Sequence, residues 1–213
     1  MTEAIRSGAL AEGLVALGLS HTPEVIDKFE RYAALLLKWN RVYNLTAIRA
    51  AEDVLTHHLL DAASIVPMIA KHVPQAKTVL DVGSGGGLPA VPISILCPAL
   101  SVRAVDAVGK KTAFINQAAI ELGLKNLRAE HVRVEKMKGA FDVITSRAFS
   151  SLKDFTTLSR GLLAPGGCWL AMKGVMVDNE AADLPDGVQV CGVEPLTVPG
   201  LDEERHLYVL RER

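Results

Sequence analysis

Cysteine is scarce in this chain of 213 residues: Cys97, Cys168 and Cys191 are odd in number, far apart and form no C-x-x-C pair. That excludes a disulfide framework and a cysteine-built zinc site, and it places the chain in a reducing, cytoplasmic compartment. Neither sign of charge is in excess, since 23 Lys and Arg stand against 24 Asp and Glu for a formal charge of -1. Any nucleic-acid partner must therefore be met by a local basic patch. Long hydrophobic runs are missing too. Mean hydropathy is positive, at +0.24, yet the longest apolar stretch, 90–100, contains Pro92, Ser94 and Pro98 and falls short of the roughly 20 residues that span a membrane. No signal peptide is expected, because Glu3 and Glu12 flank or break the first apolar run and no small-residue cleavage site follows. Six histidines, at 21, 57, 58, 72, 131 and 206, show no H-E-x-x-H spacing, so no metal is expected. Repeats and low-complexity segments are absent.

What is there reads as ordinary globular protein, 49% apolar and 22% charged, long enough for one domain with an appendage. The text changes character near residue 76. Before it, Thr22 and Pro23 read as an N-cap and first helical position. Val25, Phe29, Tyr32, Leu36 and Trp39 follow on one helix face, a core stripe. A turn is predicted at 40–45 and a further helix over 53–69, ended before Pro74. The predicted organisation is a helical extension over 1–75, packed on a catalytic domain over 76–213.

After residue 76, short apolar runs alternate with helical ones, the mark of a mostly parallel sheet covered by helices. Strands are predicted at 78–82, 101–106, 127–131, 141–145 and 167–172, and the clearest helix at 110–122, ended by Gly123. Two last strands, 188–193 and 206–210, form a hairpin at the sheet edge. The predicted fold class is α/β: a Rossmann-like sheet, mostly parallel, with a C-terminal antiparallel hairpin.

The first strand runs into Asp81-Val82-Gly83-Ser84-Gly85-Gly86-Gly87. In a doubly wound sheet that loop lies at the carboxyl edge, where ligands bind. A glycine cluster alone is equally a tight strand-to-helix turn. A dinucleotide fingerprint would need Gly or Ala at 88, where this chain has Leu88. Asp106 ends the second strand, the place for a carboxylate that accepts both hydroxyls of an adenosine ribose. The pair resembles the S-adenosylmethionine-dependent methyltransferases, with Gly83, Gly85, Gly87, Leu88 and Asp106 as cofactor-binding residues.

The acceptor is read after the fourth strand. Ser146-Arg147-Ala148-Phe149 has neither an Asn/Asp-Pro-Pro-aromatic turn, which holds exocyclic amines, nor a cysteine nucleophile for pyrimidine C5. An acceptor with its own lone pair suits this site, and guanine N7 needs no base to deprotonate it. Arg147 would grip guanine O6 or a phosphate and Phe149 would stack on a base; the plainer readings are an ion pair and a core aromatic.

The resemblance then becomes specific. Lys38-Trp39-Asn40, Tyr43-Asn44-Leu45-Thr46, His58-Leu59-Leu60-Asp61, the glycine loop through Pro89, Arg133-Val134-Glu135, Ser146 to Phe149, Lys173-Gly174 and Arg205-His206-Leu207 occur in order. They resemble the bacterial small-subunit ribosomal RNA guanine-N7 methyltransferase family, also called glucose-inhibited division protein B. The resemblance implies S-adenosylmethionine as cofactor and a guanine of 16S rRNA as substrate. It sets Gly83 and Leu88 at the cofactor loop, Val134 and Glu135 beside the adenine, and Arg147 at the cofactor and catalytic site. Ala90, His57 and Ala62 depart from residues common in the family, the last two in a segment whose RNA contacts they weaken.

Between residues 101 and 147 nine Lys or Arg face five Asp or Glu, whereas 175–213 holds nine acids and three bases. Basic charge thus sits on the half carrying the cofactor loops, as phosphate contacts require. Lys110, Lys111, Lys173 and Arg205 are, with Phe149, the expected RNA-binding residues. Lys125, Arg128, Lys136 and Lys138 read as a solvated face. The expected partner is 16S rRNA or the 30S subunit, bound by a monomer, with no DNA and no membrane. A methyltransferase for a small molecule or protein, and a non-catalytic rRNA-binding assembly factor, are the alternatives.

Overall fold

A computed structural model describes residues 7–46, 51–147, 149, 151–174 and 182–213. Glu3, used above against a signal peptide, and Ala148 lie outside the described residues. Seven strands form one sheet: β1 (Thr78–Val82), β2 (Ser101–Asp106), β3 (Leu127–His131), β4 (Phe141–Ser146), β5 (Leu163–Lys173), β6 (Val188–Pro195) and β7 (His206–Glu212). Their order is β3-β2-β1-β4-β5-β7-β6. The first five pair in parallel, and β7 joins β5 and β6 antiparallel. The sequence reading of a parallel sheet closed by a hairpin is therefore what is observed. The reversal of strand order lies between β1 and β4, where a doubly wound sheet opens a crevice at its carboxyl edge.

Strand side chains alternate between two cores, as the pleat requires. Val79, Val102, Ala104, Val143 and Leu170 face one cluster, while Leu80, Val105, Ile144, Trp169 and Ala171 face the other. The second core is closed by α8 (Leu152–Ser159), whose Leu152 and Phe155 are fully buried. The first holds α6 (Ala90–Leu96) and α7 (Gly109–Glu121) together with the helices that precede the sheet. Those are α1 (Ser7–Ala16), α2 (Pro23–Tyr43), α3 (Ala51–Val54), α4 (Asp61–Ala63) and α5 (Ile65–His72). α6 is apolar nearly all round and buried from Ala90 to Ile95, which a helix tolerates only when covered on every side. α2, α4, α5 and α7 supply that cover together with β2 and β3 of the sheet.

Two local expectations are corrected. α2 does not stop at a turn over 40–45 but runs to Tyr43, with Asn44 in the left-handed region at φ 50°. Asn40, a residue type that favours turns, stays helical because it is buried and its Oδ1 accepts the Thr46 amide at 2.8 Å. The helix over 53–69 is not regular either: Leu55–Leu60 is a π-helical stretch between α3 and α4. Six residues are too short a stretch for the changed period to stand out in the apolar pattern, and such stretches are frequent at functional sites. Among the described residues no helix is long and apolar enough to cross a membrane.

Candidate active site

At the end of β1 the chain must leave the sheet and enter α6 within a few residues. Gly83 and Gly85 make the turn with φ of 71° and 55°, a region closed to most side chains. The Gly83 and Ser84 amides donate to the Val105 carbonyl of β2 at 2.8 and 3.2 Å, and the Ser84 carbonyl accepts from Gly87 and Leu88 at 2.7 and 3.1 Å. Gly87 answers to packing: its φ is 85°, and an added Cβ would lie 2.7 Å from Val91 Cγ2.

The loop is braced from outside the sheet. Tyr32 of α2, fully buried, donates its hydroxyl to the Gly86 carbonyl at 2.5 Å. Leu36, one turn on, would stand 3.0 Å from a Cβ at Gly86. Burial holds the Tyr32 phenol well above the usual range, against the pull of Arg147, so it remains a donor. The apolar stripe of α2 thus forms core and also carries one polar atom to the loop. Nothing in its spacing distinguishes Tyr32 from its neighbours.

Two carboxylates frame the loop. Asp106 Oδ2 accepts the Gly85 amide at 3.0 Å and Oδ1 the Val108 amide at 2.9 Å, with Lys111 Nζ 3.6 Å away. Asp81 is fully buried, and burial pushes its carboxyl up to about 7 despite Ser84 and the Ala90 amide, which donates to Oδ2 at 3.2 Å. Among the described residues its Oδ1 accepts no hydrogen bond. A buried oxygen without a donor beside a glycine loop is a place where a ligand cation or donor is welcome.

Across the cleft, Arg147 leaves the end of β4 and meets the π-helical stretch. Its Nη1 donates to the His57 carbonyl at 2.8 Å and to Asp61 Oδ2 at 3.1 Å. Asp61 is 4% exposed and also faces Arg205 Nε at 3.5 Å. Burial, with Arg147 next, pushes His58 down to about 4, so the ring is neutral. Its Nδ1 lies 2.9 Å from the His57 carbonyl and its Nε2 2.6 Å from Thr46 Oγ1. Segments 40–46, 57–61 and 146–149, which look unrelated along the chain, meet here.

An open cleft of about 480 Å³ lies between these walls, lined by Gly83, Gly85, Leu88, Asp106, Arg147 and Phe149, and also by Leu45, Thr46, Ser84, Gly86 and Lys111. Its size suits a small-molecule ligand. Phe149 packs on Phe155, ring centres 5.7 Å apart. Arg147 also lines a second cleft of about 380 Å³, shared with Asp61, Lys173 and Arg205. Six of the residues assigned from sequence stand apart from the first cleft: Lys173 and Arg205, in the second; Gly87; Lys110, exposed on the first turn of α7; Val134, buried in the second core; and Glu135, exposed 3.9 Å from Arg133. Lys111, expected on RNA, faces the first cleft beside Asp106. No cysteine lines it, and burial holds the Cys168 thiol up at about 11. The cleft therefore lacks a thiolate nucleophile. Groups able to hold a metal are absent among the described residues.

Comparison with known proteins converges on one family. The family model for rRNA small subunit methyltransferase G matches residues 25–208. Ribosomal RNA small subunit methyltransferase G of Ralstonia nicotianae is 55% identical over 207 residues, covering 94% of this chain and 93% of that protein. Its namesake from an Azoarcus species is 50% identical over 206 residues, 96% and 95% of the two chains. Among solved structures, TrmN from Thermus thermophilus superposes with a TM-score of 0.57 at 21% identity, over 75% of this chain and 53% of that one. The ribosomal protein L11 methylase of Lactobacillus delbrueckii subsp. bulgaricus gives 0.56 at 15% identity, over 71% and 78%. These two likenesses are of fold.

Proposed function

The chain belongs to the rRNA small subunit methyltransferase G family, and we propose that it uses S-adenosylmethionine to methylate N7 of a guanine in 16S rRNA. The observation that carries this reading is the cleft at the strand-order reversal, with a glycine loop and Asp106 on one wall and Arg147 and Phe149 on the other. Gly83, Gly85 and Leu88 line the floor on which the cofactor's amino-acid part rests. Asp106 accepts from the ribose hydroxyls while keeping the Gly85 amide in place. Asp81, with one oxygen unpaired, favours a cationic ligand nearby. Gly87 supports the loop from behind. Val134 and Glu135, on the turn after β3, border the adenine.

Bound there, S-adenosylmethionine would supply an electrophilic methyl group on a sulfonium, with the C–S bonding electrons left to sulfur on transfer to an acceptor lone pair. N7 carries no proton, so no base is required of this chain, and none is present among the residues lining the cleft other than Asp106, which is committed to two amides. Its task is positioning. Arg147, fixed by His57 and Asp61, presents the rest of its guanidinium to guanine O6 or a flanking phosphate, and Phe149 offers a ring for stacking. Lys110, Lys173 and Arg205 extend the positive surface, and Lys111 steadies Asp106. The enzyme acts in the cytoplasm as a monomer, on 16S rRNA or the 30S subunit and not on DNA.

Mass mapping of 16S rRNA from cells with and without the gene tests the reading. A guanine 14 Da lighter in the deletion strain, restored by the purified chain on 30S subunits, is expected. Unchanged rRNA, with a metabolite or protein accepting the methyl group, would move the chain to another substrate class.

A further inference from the structure

One basic face of the described surface lies outside the cleft. Along α2, Arg31, Lys38 and Arg41 recur at spacings of seven and three, so they share a stripe opposite the buried Phe29, Tyr32, Leu36 and Asn40. With Leu37 and Glu121 they line an open groove of about 410 Å³. Arg31 is committed, paired to Asp27 at 3.2 Å and bonded to the Glu121 carbonyl. Lys38 and Arg41 are exposed, and no ion pair engages either among the described residues. At the same end of the helix Tyr43, 39% exposed, packs against Trp39 with ring centres 5.2 Å apart and planes tilted by 41°. The chain then passes through Asn44 into Leu45 and Thr46, which line the cofactor cleft. The basic face and the mouth of the cleft are thus ends of one continuous segment.

We propose that this face of α2 docks the sugar–phosphate backbone of ribosomal RNA on its way to the cofactor cleft, an inference that rests on the RNA methyltransferase reading. Lys38 and Arg41 lie three residues apart, about 5–6 Å between Cβ atoms, so two long cationic side chains meet neighbouring phosphates. A protein partner fits less well. Lysine is depleted where proteins bury one another, whereas Lys and Arg make most contacts to phosphate. Placing Arg41 in the last turn of α2 also complements the helix dipole, but that contribution is local and predicts no change in RNA binding.

The test uses the full chain with Lys38→Gln and Arg41→Gln combined. Filter binding to protein-free 16S rRNA at several salt concentrations should show roughly tenfold weaker affinity. The slope of log affinity against log salt should be shallower by about 1.5, as expected for two lost phosphate contacts. KM for 30S subunits should rise in parallel, with kcat and calorimetric S-adenosylmethionine affinity unchanged. The swap Lys38→Arg with Arg41→Lys should restore binding, since a phosphate contact needs charge more than a fork. Unchanged RNA affinity and slope overturn the proposal, and so does a raised KM on 30S subunits with normal binding to naked RNA, which would make the face a site for a ribosomal protein. If the wild-type chain methylates no rRNA, the functional reading itself has failed.

Discussion

The hydroxyl of Tyr32 donates to the carbonyl of Gly86 at 2.5 Å, joining residues 54 apart in sequence. Both groups are buried, so neither has water as an alternative partner. Helix α2 therefore holds the glycine loop from behind by one directed bond as well as by apolar contact.

Tyr32→Phe keeps the ring and removes only that bond, leaving the Gly86 carbonyl unpaired at a cost of about 1–3 kcal/mol. Calorimetry should show S-adenosylhomocysteine binding weakened about tenfold, together with a small fall in Tm. A variant that melts earlier yet binds normally would reduce Tyr32 to a packing residue.

Asp106→Ala should weaken S-adenosylmethionine at least tenfold. The substitution deprives the Gly85 and Val108 amides of their acceptor and removes the carboxylate for the ribose, each charge-assisted bond contributing about 1.5–3 kcal/mol before water compensates. Unchanged affinity in a folded variant would sink the assignment.

Arg147→Ala should slow methyl transfer about 10²-fold, the scale of lost positioning. Arg147→Lys should recover little, because one ammonium cannot hold the His57 carbonyl and Asp61 while reaching the substrate. Among the described residues Asp61, 4% exposed, would keep Arg205 at 3.5 Å as its one cation, so Arg147→Ala should also lose about 1–3 kcal/mol of stability, less than a fully broken buried pair. Single-turnover methylation of 30S subunits, run below each variant's Tm, separates the two effects. Rates near wild type would leave Arg147 a structural ion-pair partner.

Asp81 gives the chain a pH signature. Its folded pKa is raised from 3.8 to about 7, so its contribution to stability is complete below 3.8 and is lost as pH rises through 7. Asp81→Asn has no such proton to lose. Tm of the variant minus that of the wild type should increase between pH 5 and pH 8. A difference independent of pH would mean that Asp81 is ionised throughout.

The sequence by itself determined the sheet. The run 78–82 is buried from Val79 onward and the run 101–106 from Ala104 to Asp106, and the glycines at 83 and 85 stand where the chain must turn left-handed. Period and turn chemistry are local properties, legible within a few residues. Asp106 could be found for the same reason, since a strand end beside a glycine loop is a position along the chain.

Only the tertiary structure decided what surrounds that loop. Tyr32 had no sign to set it apart from the other stripe residues, and Asn40 read as a turn former until burial and the Thr46 amide kept it helical. The meeting of His57, His58 and Asp61 with Arg147 spans 86 to 90 residues. Lys111, expected on RNA, is drawn toward Asp106. These are contacts between elements. They depend on how α2 and the π-helical stretch pack over α6 and beside β4, and long-range packing minimises exposed apolar area across the whole chain, a quantity no local window contains.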